Sequence, residues 1–391
     1  MTRTSWGILA MVVILASRAL ADESESITVD CGNGQSLNRA LAKLDKHGPP
    51  TVSVKGTCTE YVQVVGFDRL VLKGQPGAKL QQPTSTSGNL FNAVLYIQSS
   101  RSLTVDGLTI QAPSTGVPAV GIGQGSRDIR LRNLKVIGGG YGIIVFENSE
   151  VSIAYVTAQD PGYATLGAYD LSDIHLEHSS FTNTTGALWH AGLDIGTSHV
   201  TMYATTITNM QQGIAAHSGS IIDLVTFTTY YNTGGSTDVT INSPAGTNYN
   251  GVTIQTGGSL NLNSAKLVIN QAGQSWGGTT GGIQLSDNAT LNAGTGLLTI
   301  TGSNGQGILA LNNSHATIVG VTVTGGTHAG LLAANLSTIH VATGPSLTLV
   351  GGNSVDLFCD AGSDITGAVN LAGVPTSSCA NVLSAETPPL P

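Results

Sequence analysis

The chain has 391 residues, of which 10% are charged and 5% aromatic, with 51 glycines and a formal net charge of −8. So few charges would suit a membrane protein, yet the one apolar run, at residues 6–16, is too short to span a bilayer. The glycines have no period of three, which excludes collagen, and 40% hydrophobic residues spread along the chain argue against disorder.

Arg3, the apolar run and then Ala19-Leu20-Ala21 follow the charged–apolar–small order of a secretory signal peptide. Residues 1–21 are therefore expected to be removed, giving a secreted, periplasmic or cell-surface protein without a transmembrane segment. Export permits disulfides. Four cysteines allow three connectivities, and proximity favours Cys31–Cys58 and Cys359–Cys379; zinc is the weaker reading because no CxxC spacing occurs. Residues 36–47 form an amphipathic pattern with Ser36 as N-cap and Gly48-Pro49-Pro50 as stop, predicting the one helix.

Charge is unevenly placed. Residues 22–135 carry 12 basic and 9 acidic side chains, whereas from 136 onward Lys266 alone faces 14 acidic residues. A general attraction to nucleic acid is thereby excluded. A local basic zone near the N-terminal end is not.

Short alternating runs recur from residue 103, with starts at 129, 151, 174, 200, 221, 260, 289, 316, 339 and 365. A second motif follows in most units, as in Gly142-Ile143, Gly192-Leu193, Gly213-Ile214, Gly251-Val252, Gly282-Ile283, Gly307-Ile308 and Gly330-Leu331. Units this short cannot bury an apolar face alone and must stack. The sequence thus predicts an all-β, single-stranded, right-handed parallel β-helix of about 11–12 coils. One domain spans 22–380, the helix at 36–47 caps its open end, and residues 381–391 form a disordered tail.

These repeats resemble the pectin-lyase-like superfamily, which includes pectate lyases and polygalacturonases, over residues 30–375. The resemblance implies the β-helix fold and an extracellular polysaccharide as partner. Trp189-His190-Ala191-Gly192-Leu193-Asp194-Ile195 and Gln211-Gln212 resemble the active-site stretch of polygalacturonases. Ala191 stands where that family has its first aspartate, and the two glutamines replace its aspartate pair. Neither alanine nor glutamine does general acid–base work, so polygalacturonase hydrolysis is not expected.

Asp194 and His217 should point outward from adjacent coils, with backbone positions roughly 8 Å apart. They are the candidate catalytic pair. Trp189, His190, Tyr163, Tyr230 and Arg130 are candidate substrate-binding residues: aromatic rings stack on sugars and the guanidinium pairs with carboxylates. Aligning the turn serines places Arg127, Glu150, Asp173 and His199 in one column and Glu147 and Asp170 in another. The four carboxylates form a candidate Ca²⁺ site, with a solvated charge ladder as the blander reading and no cofactor required. Two functions remain. One is an exported, monomeric β-helix that binds an extracellular acidic polysaccharide or cell-surface glycan, with lyase, hydrolase or epimerase chemistry open to it. The other is a non-catalytic surface protein for adhesion or structural interaction.

Overall fold

The computed structural model describes residues 25–384 apart from 85–92, 114, 186–189, 227–237, 244–249, 273–279, 295, 343–348, 352, 354, 361, 373–378, 380 and 381. The expected signal peptide, Trp189 and Tyr230 lie outside the described residues.

Each coil contributes three short strands. In one coil these are Glu150–Ala154, Thr157–Gln159 and Ala164–Ala168, and in the next Asp173–Glu177, Ser180–Thr182 and Ala191–Gly196. Every strand pairs in parallel with its counterpart one coil away, and the third strands form a 12-stranded sheet. The molecule is a parallel β-solenoid of the expected class, with the right-handed turn that parallel crossovers take. Period-two alternation turns every second side chain inward. Val151, Ile174, Val200 and Ile222 stack in register, as do Leu166, Leu193, Ile214 and Val252, and all eight are buried. The unit starts read from the sequence fall in or beside the first strand of each coil. Two coils, starting at Thr51–Lys55 and Val71–Gly74, precede the first unit the sequence revealed.

Two columns hold the coils in register. At the start of the third sheet, Gly192, Gly213, Gly251 and Gly282 leave no room for a Cβ. A Cβ at Gly213 would lie 2.5 Å from the Gly251 carbonyl oxygen and 2.5 Å from Ile241 Cγ2. At the corner between third and first sheets, buried serines satisfy backbone N–H groups that turn away from the strand ladders. Ser172 Oγ accepts from Ser149 N at 3.4 Å and donates to the Tyr169 carbonyl at 2.8 Å, while Ser198 Oγ accepts from Ser172 N at 3.1 Å.

The N-terminal helix is shorter than expected, Leu37–Leu41 instead of 36–47. Ser36 caps it as predicted, accepting from Arg39 N at 3.3 Å, and Glu60 takes the Leu37 N–H at 2.6 Å. Asp45 then accepts from His47 N at 3.0 Å, and this local turn competes with further helix before Gly48-Pro49-Pro50. Leu37 and Leu41 still cover the end of the core. The expected tail is also shortened, because Val382–Ser384 pairs with Gly367–Val369. Both disulfides form with the pairing favoured by proximity, Cys31–Cys58 and Cys359–Cys379. No helix among the described residues is long and apolar enough to cross a membrane.

The glycine column gives a direct test. Gly213→Ala must displace backbone or Ile241, so it is expected to destabilise the protein by about 1–3 kcal/mol, read as a lowered midpoint in thermal unfolding. An unchanged midpoint would show that the coils can move apart there at no cost.

Candidate functional site

The outward face of the third sheet carries a column that the backbone register defines. It runs Tyr96, Gly121, Ile144, Gly167, Asp194, Ala215, Thr253, Gln284, Leu309, Leu332 and Phe358. Asp194 is the one carboxylate among them. His217 pairs in register with Gly196, two positions along the strand from Asp194. The separation is bridged by the side chains, which bring His217 Nε2 to 3.3 Å from Asp194 Oδ1. Gly196 makes this approach feasible, since a Cβ there would lie 2.8 Å from His217 Cε1.

The other carboxylate oxygen is held by a residue that sequence reasoning missed. Tyr169 Oη donates to Asp194 Oδ2 at 2.5 Å, and Tyr141 Oη lies 3.0 Å from Tyr169 Oη. Both rings converge over Gly167, where a Cβ would lie 2.9 Å from each. A glycine directly beneath an outward aspartate was the available signal, but only a register map shows which aromatics fill the space. Burial, and next the Asp194 charge, raise the Tyr169 phenol well above its usual range, and burial raises Tyr141 as well. Tyr169 is therefore a permanent donor at neutral pH.

This network opens on a cleft of about 350 Å³ lined by Tyr141, Tyr163, His190, Asp194, Gln211 and Gln212, among others. Tyr163 is 57% exposed, with its ring centroid 6.0 Å from that of Tyr141. Gln212 Nε2 donates to Thr253 Oγ1 at 2.5 Å, which fixes the amide beside the cleft. His190 is 7% exposed, and neither ring nitrogen makes a hydrogen bond of good geometry among the described residues. Burial lowers its pKa, with a weaker opposing effect from the Gly162 backbone. The imidazole is thus held neutral in the wall of the cleft.

Of the expected site residues, Asp194, His217, His190 and Tyr163 gather in or beside this cleft. Arg130 does not. It projects from the first sheet, where its guanidinium pairs with Asp128 at 2.9 Å. The four carboxylates considered for Ca²⁺ do not converge either. Glu150 and Asp173 are register neighbours, but Asp173 turns to His199 Nδ1 at 3.1 Å and Glu147 accepts from Gln124 N at 2.9 Å. Among the described residues, the one trio with ligand atoms close enough for a metal is Cys31, Cys58 and Glu60, and both cysteines are consumed in the disulfide. Asp173 and Glu147 thus have partners of their own.

No family model and no curated protein matches the chain. Solved structures share its coiled architecture at low identity. A surface adhesin of Streptococcus pneumoniae, PfbA, is 10% identical with a TM-score of 0.46, covering 87% of this chain and 93% of its own. The catalytic domain of a GH87 α-1,3-glucanase in complex with nigerose is 10% identical at a TM-score of 0.36, covering 93% of this chain and 67% of its own. A polygalacturonase from Erwinia carotovora ssp. carotovora is 12% identical at 0.35, covering 93% and 97%. Likeness at this level carries no residue-by-residue correspondence.

The buried phenol makes a prediction in alkali. Because the folded pKa of Tyr169 is raised above its ordinary value of 10.0, its contribution to stability is complete below pH 10 and is lost as pH rises beyond that. Thermal midpoints should therefore fall above pH 10, and fall less steeply in Tyr169→Phe. Parallel curves for the two proteins would contradict the burial of that hydroxyl.

Proposed function

We propose that the protein is an exported β-helix that binds an extracellular polysaccharide along the outer face of its third sheet. The observation that carries this reading is the Tyr169–Asp194–His217 network, open to a cleft walled by the Tyr141 and Tyr163 rings. Flat aromatic faces beside fixed acceptors and amides suit a pyranose, whose C–H face stacks while its rim hydroxyls hydrogen-bond. Asp194 would accept from sugar hydroxyls. Tyr169 and His217 hold its two oxygens in place, so little ordering is left to complete on binding.

The chemistry available is narrower than the binding. Glycoside hydrolysis by the usual route needs two carboxyl groups across one bond, and the described lining of this cleft contains one, Asp194. A proton abstraction would fall to His217, oriented by Asp194 as a carboxylate orients an imidazole base. The cleft offers no guanidinium or ammonium among its described lining residues to neutralise a uronate carboxylate there. The single acid favours binding over hydrolytic turnover, and this supports the reading in which the protein adheres to a glycan.

Affinity electrophoresis of the purified protein through gels containing neutral and acidic polysaccharides tests both parts. Retardation by at least one polymer is expected, weakened about tenfold in Asp194→Asn and in Tyr163→Ala. Mobility unchanged in every polymer would sink the reading. Unsaturated or shortened products that disappear in His217→Ala would instead assign turnover to this site.

A further inference from the structure

A second constellation occupies the outer face of the first sheet, on a different side of the coil from the Asp194 cleft. At the tight corner between first and second sheets, Gly107, Asn133, Tyr155, His178 and Ala204 succeed one another coil by coil, all at positive φ. Backbone bonds from Gly107 N to the Arg132 carbonyl, Asn133 N to Ala154 and Tyr155 N to Glu177 fix the column. Glycine, asparagine and histidine suit this conformation, and tyrosine adopts it less often.

The rings form a platform. Tyr155 stacks on His178 with centroids 5.0 Å apart and planes 5° from parallel, and His178 meets Tyr203 edge-on at 5.3 Å. Tyr203 donates to Glu177, and His175 Nε2 lies 3.6 Å from the same carboxylate. Tyr155 nevertheless remains 45% exposed. His178 covers one face of its ring. Tyr155 also lines a cleft of about 180 Å³ together with Arg132, Asn133, Ala154 and Glu177.

Arg132 is the unspent charge in this cleft. Its backbone pairs in register with Asp106, yet Asp106 accepts from Asn133 Nδ2 at 2.8 Å. No ion pair joins Arg132 to any described residue. The adjoining Arg130, by contrast, is neutralised by Asp128. One guanidinium without an ion pair among the described residues, one half-exposed aromatic ring and one anchored carboxylate therefore line a cleft of a size to take a single sugar ring.

We propose that this cleft is a second glycan site, specific for a pyranose bearing one carboxylate. The ring would stack on Tyr155, its carboxylate would pair with Arg132 through two N–H groups, and its hydroxyls would donate to Glu177. Densely charged polyanions are disfavoured by Glu177 and by Glu150 and Asp173 on the same sheet face, whereas one charge per ring matches one arginine.

Calorimetric titration of the full chain with tri-galacturonate, with sialyllactose, and with lactose and maltotriose as uncharged counterparts tests this. One acidic probe is expected to bind at least about tenfold more tightly than the neutral sugars, and which one distinguishes a uronic from a sialic source. Arg132→Gln and Tyr155→Asn should each weaken it about tenfold. Tyr155→Asn is chosen because asparagine fits positive φ, so its thermal midpoint should be unchanged or raised. Absence of binding by either acidic probe, equal binding of the neutral sugars, or unchanged binding in Tyr155→Asn would overturn the proposal. So would a lowered midpoint with intact binding, which would assign the stack to the fold alone.

Discussion

Everything in this molecule depends on successive coils lying in one register, because a slip of one residue would turn every inward side chain to solvent. Backbone ladders alone cannot enforce that over short strands. The third sheet is pinned at both ends instead. At its start, glycines approach the next coil too closely for any side chain, with a Cβ at Gly192 only 2.5 Å from the Gly213 oxygen. At its end, serines such as Ser198 and Ser220 close the corner by bonding the backbone carbonyls of Gly196 and His217. The strands between these pins, Ala191–Gly196 and Gln212–His217, are the two that carry Asp194 and His217.

The site is thus a consequence of the scaffold's precision and of two local absences. Gly167 and Gly196 occupy outward positions where a side chain would ordinarily stand. Removing those side chains lets Tyr141 and Tyr169 fold in beneath Asp194 and lets His217 lean across from the next coil. The resulting carboxylate is held on both oxygens, by a phenol that burial keeps neutral and by an imidazole. A pre-ordered acceptor of this kind is suited to recognition. As the one carboxylate in the described lining of its cleft, it does not by itself make up a two-carboxylate hydrolytic pair.

The fold was legible because its signal repeats. Alternation and the Gly-Ile/Leu/Val motif recur often enough to fix the solenoid, and the motif's glycines proved to be the register column itself. Coils with less regular spacing, such as the one starting at Thr51–Lys55, escaped notice. The site was legible only in part. Asp194 and His217 were identifiable from outward positions on adjacent coils, and Tyr163 and His190 from their nearness to them in sequence. Tyr141 and Tyr169 were not, because their contribution comes from which way each ring tilts over Gly167, and periodicity gives the face of a residue but not its tilt. Arg130 was expected to point outward from the first strand of its unit, and it stands there, on the face of Asp128 and away from the Asp194 cleft.

The charge asymmetry of the chain takes on a different meaning once the coils are stacked. Like charges repeated about 4.8 Å apart along a solenoid would repel strongly, and beyond residue 136 Lys266 is the one lysine or arginine available to separate them. Histidines occupy that role. His199 lies between Asp173 and Asp223, at 3.1 and 3.0 Å, His175 lies 3.6 Å from Glu177, and His217 lies 3.3 Å from Asp194. Near the N-terminal end the same task falls to permanent cations, as where Arg101 pairs with Asp68 at 2.9 Å. Histidine offers a counter-charge that can also be neutral, with ring nitrogens able to donate or accept. The middle coils therefore set imidazoles beside carboxylates, and the clefts at Asp194 and at Tyr155 both lie there.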